Sequence, residues 1–144
     1  MVKKGRKKQV LVLCTGNSCR SQMAEALINA KLSDQWQAFS AGTAPSGYVH
    51  PMATRALKEI GIAHSGVSKH IEDLPATAFD SVITVCDDAA ENCPVWLGQG
   101  KRIHIGFPDP AKAVGSDEEI MAVFRSVRDD IERRVLGYLV ELAG

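Results

Sequence analysis

The feature that most constrains the fold is an apolar run at residues 10–13, which leads directly into a loop of small residues. Four consecutive apolar residues are typical of a strand that is buried on both faces of a parallel sheet. The loop begins at Cys14, and a helical pattern over residues 21–31 follows it. The sequence therefore predicts a strand–loop–helix unit with the loop at the carboxyl end of the strand.

Further strand-like and helical runs alternate along the rest of the chain. The predicted strands are residues 36–39, 81–85 and 102–105, and the predicted helices are residues 21–31, a helix from Pro51 to near Gly61, and a long C-terminal helix. This alternation indicates an α/β domain with a parallel sheet and right-handed crossovers. Ligands bind at the carboxyl ends of the strands in such sheets. The loops after Leu13, Val85 and Ile105 are therefore the candidate positions for a site.

The C-terminal helix has the clearest signals. Ser116 and Glu119 form a capping box, and Asp117 and Glu118 occupy the first turn, where the helix dipole favours acidic side chains. Apolar residues then recur at steps of three or four: Ile120, Phe124, Val127, Ile131, Val135, Tyr138 and Leu142. The spacing predicts one continuous amphipathic helix.

Composition and charge define the class of protein. With 144 residues, 45% of them hydrophobic, the chain can form one folded domain with a core. Its 17 basic residues balance its 17 acidic residues, which gives no reason to expect nucleic acid as a partner. Five basic residues crowd residues 1–8. We predict a flexible basic tail there, ahead of a single domain at residues 9–144.

The number and spacing of the cysteines limit the roles that they can have. No apolar run resembles a signal peptide or a membrane span, so we expect no membrane partner and a cytoplasmic location, where thiols stay reduced. Four cysteines in such a protein are more often catalytic, redox-active or metal-binding than structural disulfides. The spacing of Cys14, Cys19, Cys86 and Cys93 lacks the close pairs of a structural zinc site. We therefore predict no metal ligand and no cofactor.

The loop after the first strand predicts an oxyanion cradle. Its members are Cys14, Thr15, Gly16, Asn17, Ser18, Cys19, Arg20 and Ser21. Small residues let several backbone N–H groups and the following helix N-terminus point at one centre. That positive potential favours a Cys14 thiolate, to which the Ser21 hydroxyl can donate, and Arg20 can bind two oxygens of a tetrahedral anion. A buried cysteine in an ordinary strand-to-helix turn is the structural alternative.

Two more cysteines follow the third predicted strand. Cys86 ends that strand, so it lies at the same sheet edge as Cys14, and Cys93 comes seven residues later. A helix would separate Cys86 and Cys93 by about 10.5 Å along its axis, whereas a disulfide needs Cα atoms within roughly 7 Å. A bond between them therefore requires a non-helical segment. Two unrelated buried cysteines are the alternative.

The fourth predicted strand leads into a loop in which Pro108 and Pro110 flank Asp109. A carboxyl group at this sheet edge can protonate a departing oxygen as a general acid. An Asp that stabilises a turn between prolines is the alternative. The nearby Cys14–Arg20 cradle favours the catalytic interpretation.

Together these segments resemble the arsenate reductases built on the low-molecular-weight tyrosine phosphatase fold. The matching segments are residues 13–25, 40–43, 82–94 and 106–111. The resemblance implies a three-layer α/β/α sandwich with a four-stranded parallel sheet. It also implies an oxidoreductase that converts arsenate to arsenite, with phosphate and sulfate as competing oxyanions.

The resemblance implies a role for each matching side chain. Cys14 is then the nucleophile on arsenate, Arg20 binds its oxygens, and Asp109 assists the loss of water. Cys86 attacks the Cys14–arsenic adduct, and Cys93 resolves the resulting disulfide, which leaves a Cys86–Cys93 disulfide for thioredoxin to reduce. Cys19 is then a structural member of the loop.

Some family members hold a potassium ion with an Asn, a Glu, a Ser and an Asp. Asn17, Glu25 and Ser40 match the first three, whereas Lys69 stands at or near the fourth. Our hypothesis is that the Lys69 ammonium replaces the ion. A second departure is Ile105, where many relatives have an aromatic residue.

Three alternatives stay open at this point. A low-molecular-weight protein tyrosine phosphatase would use the same cradle and acid, but it needs neither Cys86 nor Cys93, and its relatives place an aromatic residue where Ala111 stands. A reductase coupled to glutathione or mycothiol would use an external thiol. A non-catalytic oxyanion-binding or redox-sensing domain would not need three thiols and an acid. Tyr48 and His50 receive no role from the sequence.

Overall fold

The computed structural model describes residues 7–74, 78–87 and 100–143. The strands are β1 (Lys8–Cys14), β2 (Trp36–Gly42), β3 (Ser81–Thr84) and β4 (Lys101–His104). The helices are α1 (Arg20–Lys31), α2 (Pro51–Lys58), α3 (Asp117–Ile131) and α4 (Gly137–Ala143), with short 3-10 turns at Ile71–Asp73 and Pro110–Lys112. Each predicted strand and helix is present, although several bounds differ by a few residues.

The four strands form one parallel sheet in the order β2-β1-β3-β4. Alternate residues of β1 enter different clusters: Val10 and Val12 pack with the helices, whereas Leu11 and Leu13 pack with Phe79 on the opposite face. The predicted α/β fold with a four-stranded parallel sheet is thereby confirmed. Because β1 lies between two parallel neighbours, its carboxyl end has loops from β2 and β3 on either side.

The C-terminal helix differs from the single helix that the spacing predicts. The capping box is confirmed, since Glu119 N donates to Ser116 Oγ and Ser116 N donates to Glu119 Oε1. A π-helical turn at Glu132–Leu136, however, separates α3 from α4. Such turns widen the helix by one residue and often lie at functional sites. Here the turn carries Arg134, whose contacts are described below.

The predicted boundary between a tail at residues 1–8 and a domain at 9–144 stays a prediction. Strand β1 includes Lys8, and residues 1–6 lie outside the described part of the chain. Within the described residues, no helix has the length and the apolar content that a bilayer crossing requires.

Candidate active site

The loop between β1 and α1 points its carbonyl groups away from the sheet edge, toward neighbouring segments. Thr15 O accepts from Ala44 N at 3.0 Å, Gly16 O accepts from Ser46 N at 3.0 Å, and Ser18 O accepts from His50 N at 3.1 Å. The Ser68 hydroxyl also donates to Gly16 O at 3.0 Å. With the carbonyl oxygens bonded outward, the loop can turn N–H groups inward, as an anion cradle requires.

The close approach of β2 to this loop depends on Gly42. A Cβ at Gly42 would lie 2.3 Å from Thr15 O and 2.9 Å from Cys14 O. Any larger residue would therefore push the cradle away from the sheet. The predicted match at residues 40–43 thus has a steric reason in the fold.

Two hydrogen-bond donors converge on the Cys14 thiol. Asn17 N donates to Cys14 Sγ at 3.3 Å, and Ser21 Oγ lies 2.9 Å from the same sulfur. Because Asn17 Nδ2 donates to Ser21 Oγ at 2.8 Å, the Ser21 proton is left to donate to sulfur. Both donors thus point at the sulfur atom that would act as the nucleophile. The Ser21 contact that the sequence suggested is therefore present.

Asn17 is the hydrogen-bonding centre of the cradle. It is buried and has a φ of 49°, in the left-handed region that asparagine tolerates better than most residues. Its Oδ1 accepts from Gln22 Nε2 at 3.0 Å and from Lys69 N at 2.9 Å. These two bonds fix the amide orientation, so that Nδ2 must face Ser21.

Lys69 lies among the residues that match the family's potassium ligands. Lys69 Nζ donates to Ser40 O at 3.0 Å, and the Ser40 hydroxyl donates to Glu25 Oε1 at 2.6 Å. The Lys69 ammonium group thus contacts the backbone of Ser40, and the Ser40 side chain contacts Glu25. The replacement of a potassium ion by Lys69 stays a prediction.

Arg20 connects the cradle to the loop that carries Asp109. Arg20 Nη1 donates to Phe107 O at 3.2 Å, and Arg20 Nη2 lies 3.7 Å from Asp109 Oδ2. The Arg20 side chain is only 4% exposed, whereas that of Asp109 is 22% exposed. Asp109 Oδ1 also accepts from Ala111 N at 3.0 Å, which starts the short 3-10 turn. The acid is therefore held beside the cradle yet accessible to solvent.

Arg134, on the π-helical turn, contacts the loop that carries Asp109 at Gly106 and Phe107. Its Nη1 donates to Gly106 O at 3.2 Å, and its guanidinium lies 4.7 Å from the centre of the Phe107 ring. A Cβ at Gly106 would meet Cys86 O at 2.8 Å, so the loop passes closely over Cys86. The periodicity of the C-terminal helix gave no indication of this contact.

The cradle and Asp109 enclose a cavity of about 190 Å³. Its lining includes Cys14, Gly16, Ser18, Cys19, Arg20, Ser46, Tyr48, His50, Asp109 and Ala111. Cavities for drug-sized molecules usually measure roughly 300–1,000 Å³. The size therefore suits a small anion, and the lining joins the predicted thiol, arginine and acid in one site.

Tyr48 and His50 are two lining residues to which the sequence assigned no role. Tyr48 is 55% exposed at the mouth. His50 caps α2, since its Nδ1 accepts from Met52 N at 3.1 Å, and its ring centre lies 4.8 Å from that of Phe124. Burial lowers the pKa of His50, and the charge of Asp109 opposes that shift. Only the residue pair His50-Pro51 before the helix could have signalled a cap, and nothing signalled a cavity.

Cys86 lies two residues past Thr84, the last residue of β3 that pairs with β1. Leu13 pairs with Thr84, Val85 N donates to Leu13 O at 2.9 Å, and Cys86 comes next. The Cys86 and Cys14 side chains are both buried and belong to one hydrophobic cluster. Cys93 lies outside the described residues, so the predicted Cys86–Cys93 pairing stays a prediction.

Cys19 differs from Cys14 in its surroundings. Burial, with a smaller contribution from the charge of Asp109, raises the pKa of the Cys19 thiol to about 12. A thiol that is protonated at neutral pH is a poor nucleophile. This agrees with the prediction that Cys19 is a structural member of the loop.

Comparison with known proteins places this fold and site in a family. Residues 9–144 match the family described as low molecular weight phosphotyrosine protein phosphatase. An arsenate reductase from Halalkalibacterium halodurans is 49% identical over 130 residues, which cover 90% of this chain and 93% of that protein.

Two solved structures agree with this assignment. The crystal structure of an arsenate reductase from Archaeoglobus fulgidus has a TM-score of 0.69 and 34% identity, and the match covers 88% of this chain and 94% of that one. A structure described as an arsenate reductase in the phosphate binding state has a TM-score of 0.71 and 31% identity, over 93% and 98% of the two chains.

The chain therefore belongs to the low molecular weight phosphotyrosine protein phosphatase family, and its relatives within that family include arsenate reductases. The predicted family resemblance and the prediction that the chain is an enzyme are confirmed.

Proposed function

We propose that this protein reduces arsenate to arsenite in the cytoplasm by a relay of three thiols, with thioredoxin as the electron donor. The observation that carries the proposal is the location of a cradled Cys14 and a second buried cysteine, Cys86, at the carboxyl ends of neighbouring strands. Phosphate hydrolysis uses the first thiol and has no use for the second. The arsenate reductases among the relatives support the same choice.

In the first step the Cys14 thiolate attacks arsenic(V) in the cavity. An As–S bond forms and an As–O bond breaks, and the oxygen leaves as water after it takes a proton from Asp109. Arg20 lies close enough to bind the remaining oxygens while it also contacts the Asp109 carboxyl group. The donors on Cys14 Sγ favour the thiolate that this attack needs.

In the second step the Cys86 thiolate attacks Cys14 Sγ. An S–S bond forms, the As–S bond breaks, and its electron pair stays on arsenic, which leaves as arsenite. In the third step the Cys93 thiolate attacks Cys86 Sγ and displaces the Cys14 thiolate. The two electrons gained by arsenic are then balanced by a Cys86–Cys93 disulfide, which the dithiol of thioredoxin reduces.

The adjacency of β1 and β3 supports the second step. Neighbouring strands lie about 4.8 Å apart, and Cys86 follows the last paired residues of β3. The loop at Gly106 contacts the Cys86 backbone and the Cys86 side chain is buried, so reduction of its disulfide by thioredoxin requires Cys86 to become accessible. The relay therefore depends on a rearrangement at this sheet edge, whereas the first step does not.

A side activity on aryl phosphates is our second candidate function. The family match and the same cradle favour it, because a phosphocysteine at Cys14 would form by the chemistry of the first step. The exposed ring of Tyr48 at the cavity mouth can contact an aryl group. Water would then release phosphate without any role for Cys86.

The test is an NADPH-consumption assay with thioredoxin and thioredoxin reductase, for the wild type and for Cys14→Ser, with aryl phosphate hydrolysis measured in parallel. We expect arsenate-dependent NADPH oxidation with matching arsenite release, both lost in Cys14→Ser. Good aryl phosphate hydrolysis without arsenate turnover would make the protein a phosphatase. Turnover only with glutathione or mycothiol would refute thioredoxin as the donor.

A further inference from the structure

We propose that His50 is a substrate-binding residue whose Nε2–H donates to an outer oxygen of the oxyanion held over Cys14. The inference deepens the proposed function, on which it rests for the identity of the anion. Cavity lining, ring contacts and the hydrogen bonds of His50 carry it.

His50 is attached to the cradle through its backbone. His50 N donates to Ser18 O at 3.1 Å, so the residue is fixed against the loop that holds Cys14. Its side chain lines the same cavity as Cys14, Arg20 and Asp109. A side chain anchored in this way loses little further conformational entropy when it binds a ligand.

Two sides of the imidazole ring are already occupied. Nδ1 accepts from Met52 N at 3.1 Å, and the ring packs on Phe124 with 4.8 Å between centres. With Nδ1 bonded to Met52 N and the rings of Phe124 and Tyr48 beside the imidazole, Nε2 is the ring nitrogen left to bind a ligand. Because Nδ1 accepts a backbone hydrogen bond, the proton of the neutral ring must be on Nε2.

This geometry gives the cavity lining a neutral donor beside the cradle. Backbone N–H groups and Arg20 can bind the oxygens that face the loop, but a tetrahedral anion also has an oxygen directed toward the mouth. A fixed N–H group there recognises that oxygen without adding a positive charge near Asp109. Tyr48, half exposed in the same lining, is bonded through its backbone to the Ser46 hydroxyl.

The test compares His50→Asn with His70→Asn. Asparagine is a strong N-cap, so His50→Asn keeps an acceptor for Met52 N while it removes the ring from the cavity. His70 caps the Ile71–Asp73 turn in the same way, with Nδ1 3.0 Å from Glu72 N, but it does not line the cavity. It therefore controls for the loss of a histidine cap.

Two readouts separate this inference from the proposed function: the Kd for inorganic phosphate by titration calorimetry, and KM and kcat for arsenate. We expect His50→Asn to raise the phosphate Kd and the arsenate KM about five- to tenfold, with kcat within about twofold, as for one lost hydrogen bond. His70→Asn should match the wild type. Weakened phosphate binding without any arsenate turnover would support the inference and refute the proposed function.

Equal phosphate Kd values for His50→Asn, His70→Asn and the wild type would overturn the inference. A fall in kcat with unchanged Kd and KM would also overturn it, because the ring would then act on the chemical step. Thermal melts of both variants check that α2 still folds.

Discussion

The cradle and the loop of residues 106–111 that carries Asp109, here called the acid loop, meet at one cavity but are held in different ways. The carbonyl groups of Thr15, Gly16 and Ser18 are bonded to the backbone of the segment that follows β2. The carbonyl groups of Gly106 and Phe107 are bonded to the side chains of Arg134 and Arg20, and one backbone bond, from Phe107 N to Val85 O at 3.2 Å, joins this loop to the residue after β3. Anion binding therefore depends mainly on the fold, whereas the placement of the acid and the cover over Cys86 depend on side chains that one substitution can remove.

This difference suits a two-part reaction. Binding and nucleophilic attack need a preorganised cradle, because binding energy is then not used to order it. The proposed relay needs Cys86 to leave a buried position, which a loop held by two arginines permits more readily than a backbone-bonded one. Substitutions on the two sides should accordingly change different steps.

The largest expected effect is the loss of activity when Cys14 or Cys86 is replaced, and the two variants should lose different activities. Cys14→Ser should abolish both arsenate reduction and aryl phosphate hydrolysis, by at least about a thousandfold, because it removes the nucleophile of both reactions. Cys86→Ser should abolish only arsenate reduction. Parallel assays of the two activities check this, and loss of hydrolysis in Cys86→Ser would show that Cys86 supports the cradle itself.

Asp109→Asn should have the next largest effect. The amide cannot supply a proton to the departing oxygen, so kcat for arsenate should fall about a hundredfold or more. Its Oδ1 can still accept from Ala111 N, which keeps the turn. Steady-state kinetics with phosphate as a competitive inhibitor should show a nearly unchanged inhibition constant; a large rise in that constant would place Asp109 in binding.

Arg134→Met tests the side-chain bond to the acid loop. Methionine keeps apolar contact with Phe107 but loses the hydrogen bond to Gly106 O, so kcat should fall about three- to tenfold with KM little changed. Arg133→Met is the matched control, because Arg133 is bonded to Asp130 on the same helix. Equal kinetics for the two variants would show that Arg134 does not position the loop.

The smallest expected effect is the response to potassium. With Lys69 Nζ on Ser40 O, exchange of sodium for potassium at fixed ionic strength should leave wild-type kcat and KM unchanged. Lys69→Asp restores the carboxylate found in potassium-binding relatives, so its arsenate activity and its melting temperature should rise with potassium. A potassium-dependent wild type would refute the role of Lys69.

Local patterns predicted much of this molecule. The apolar run of β1 and the rule that ligands bind at strand carboxyl ends located Cys14, Arg20 and Asp109. The capping box located the start of α3. Strand β2 proved longer than predicted, because Ser40 looks like a loop residue until its partner Glu25 is known. The contact of Arg134 with Gly106, and those of His50 with Ser18 and Phe124, join residues that are remote in sequence, so no periodicity could indicate them.

The most direct test of the central claim is a single turnover of reduced Cys93→Ser with arsenate and without thioredoxin. The proposed relay predicts one arsenite per enzyme molecule and a Cys14–Cys86 disulfide, which peptide mass mapping of the unreduced protein would identify. Arsenite release without that disulfide, or continued turnover when thioredoxin is added, would contradict the relay.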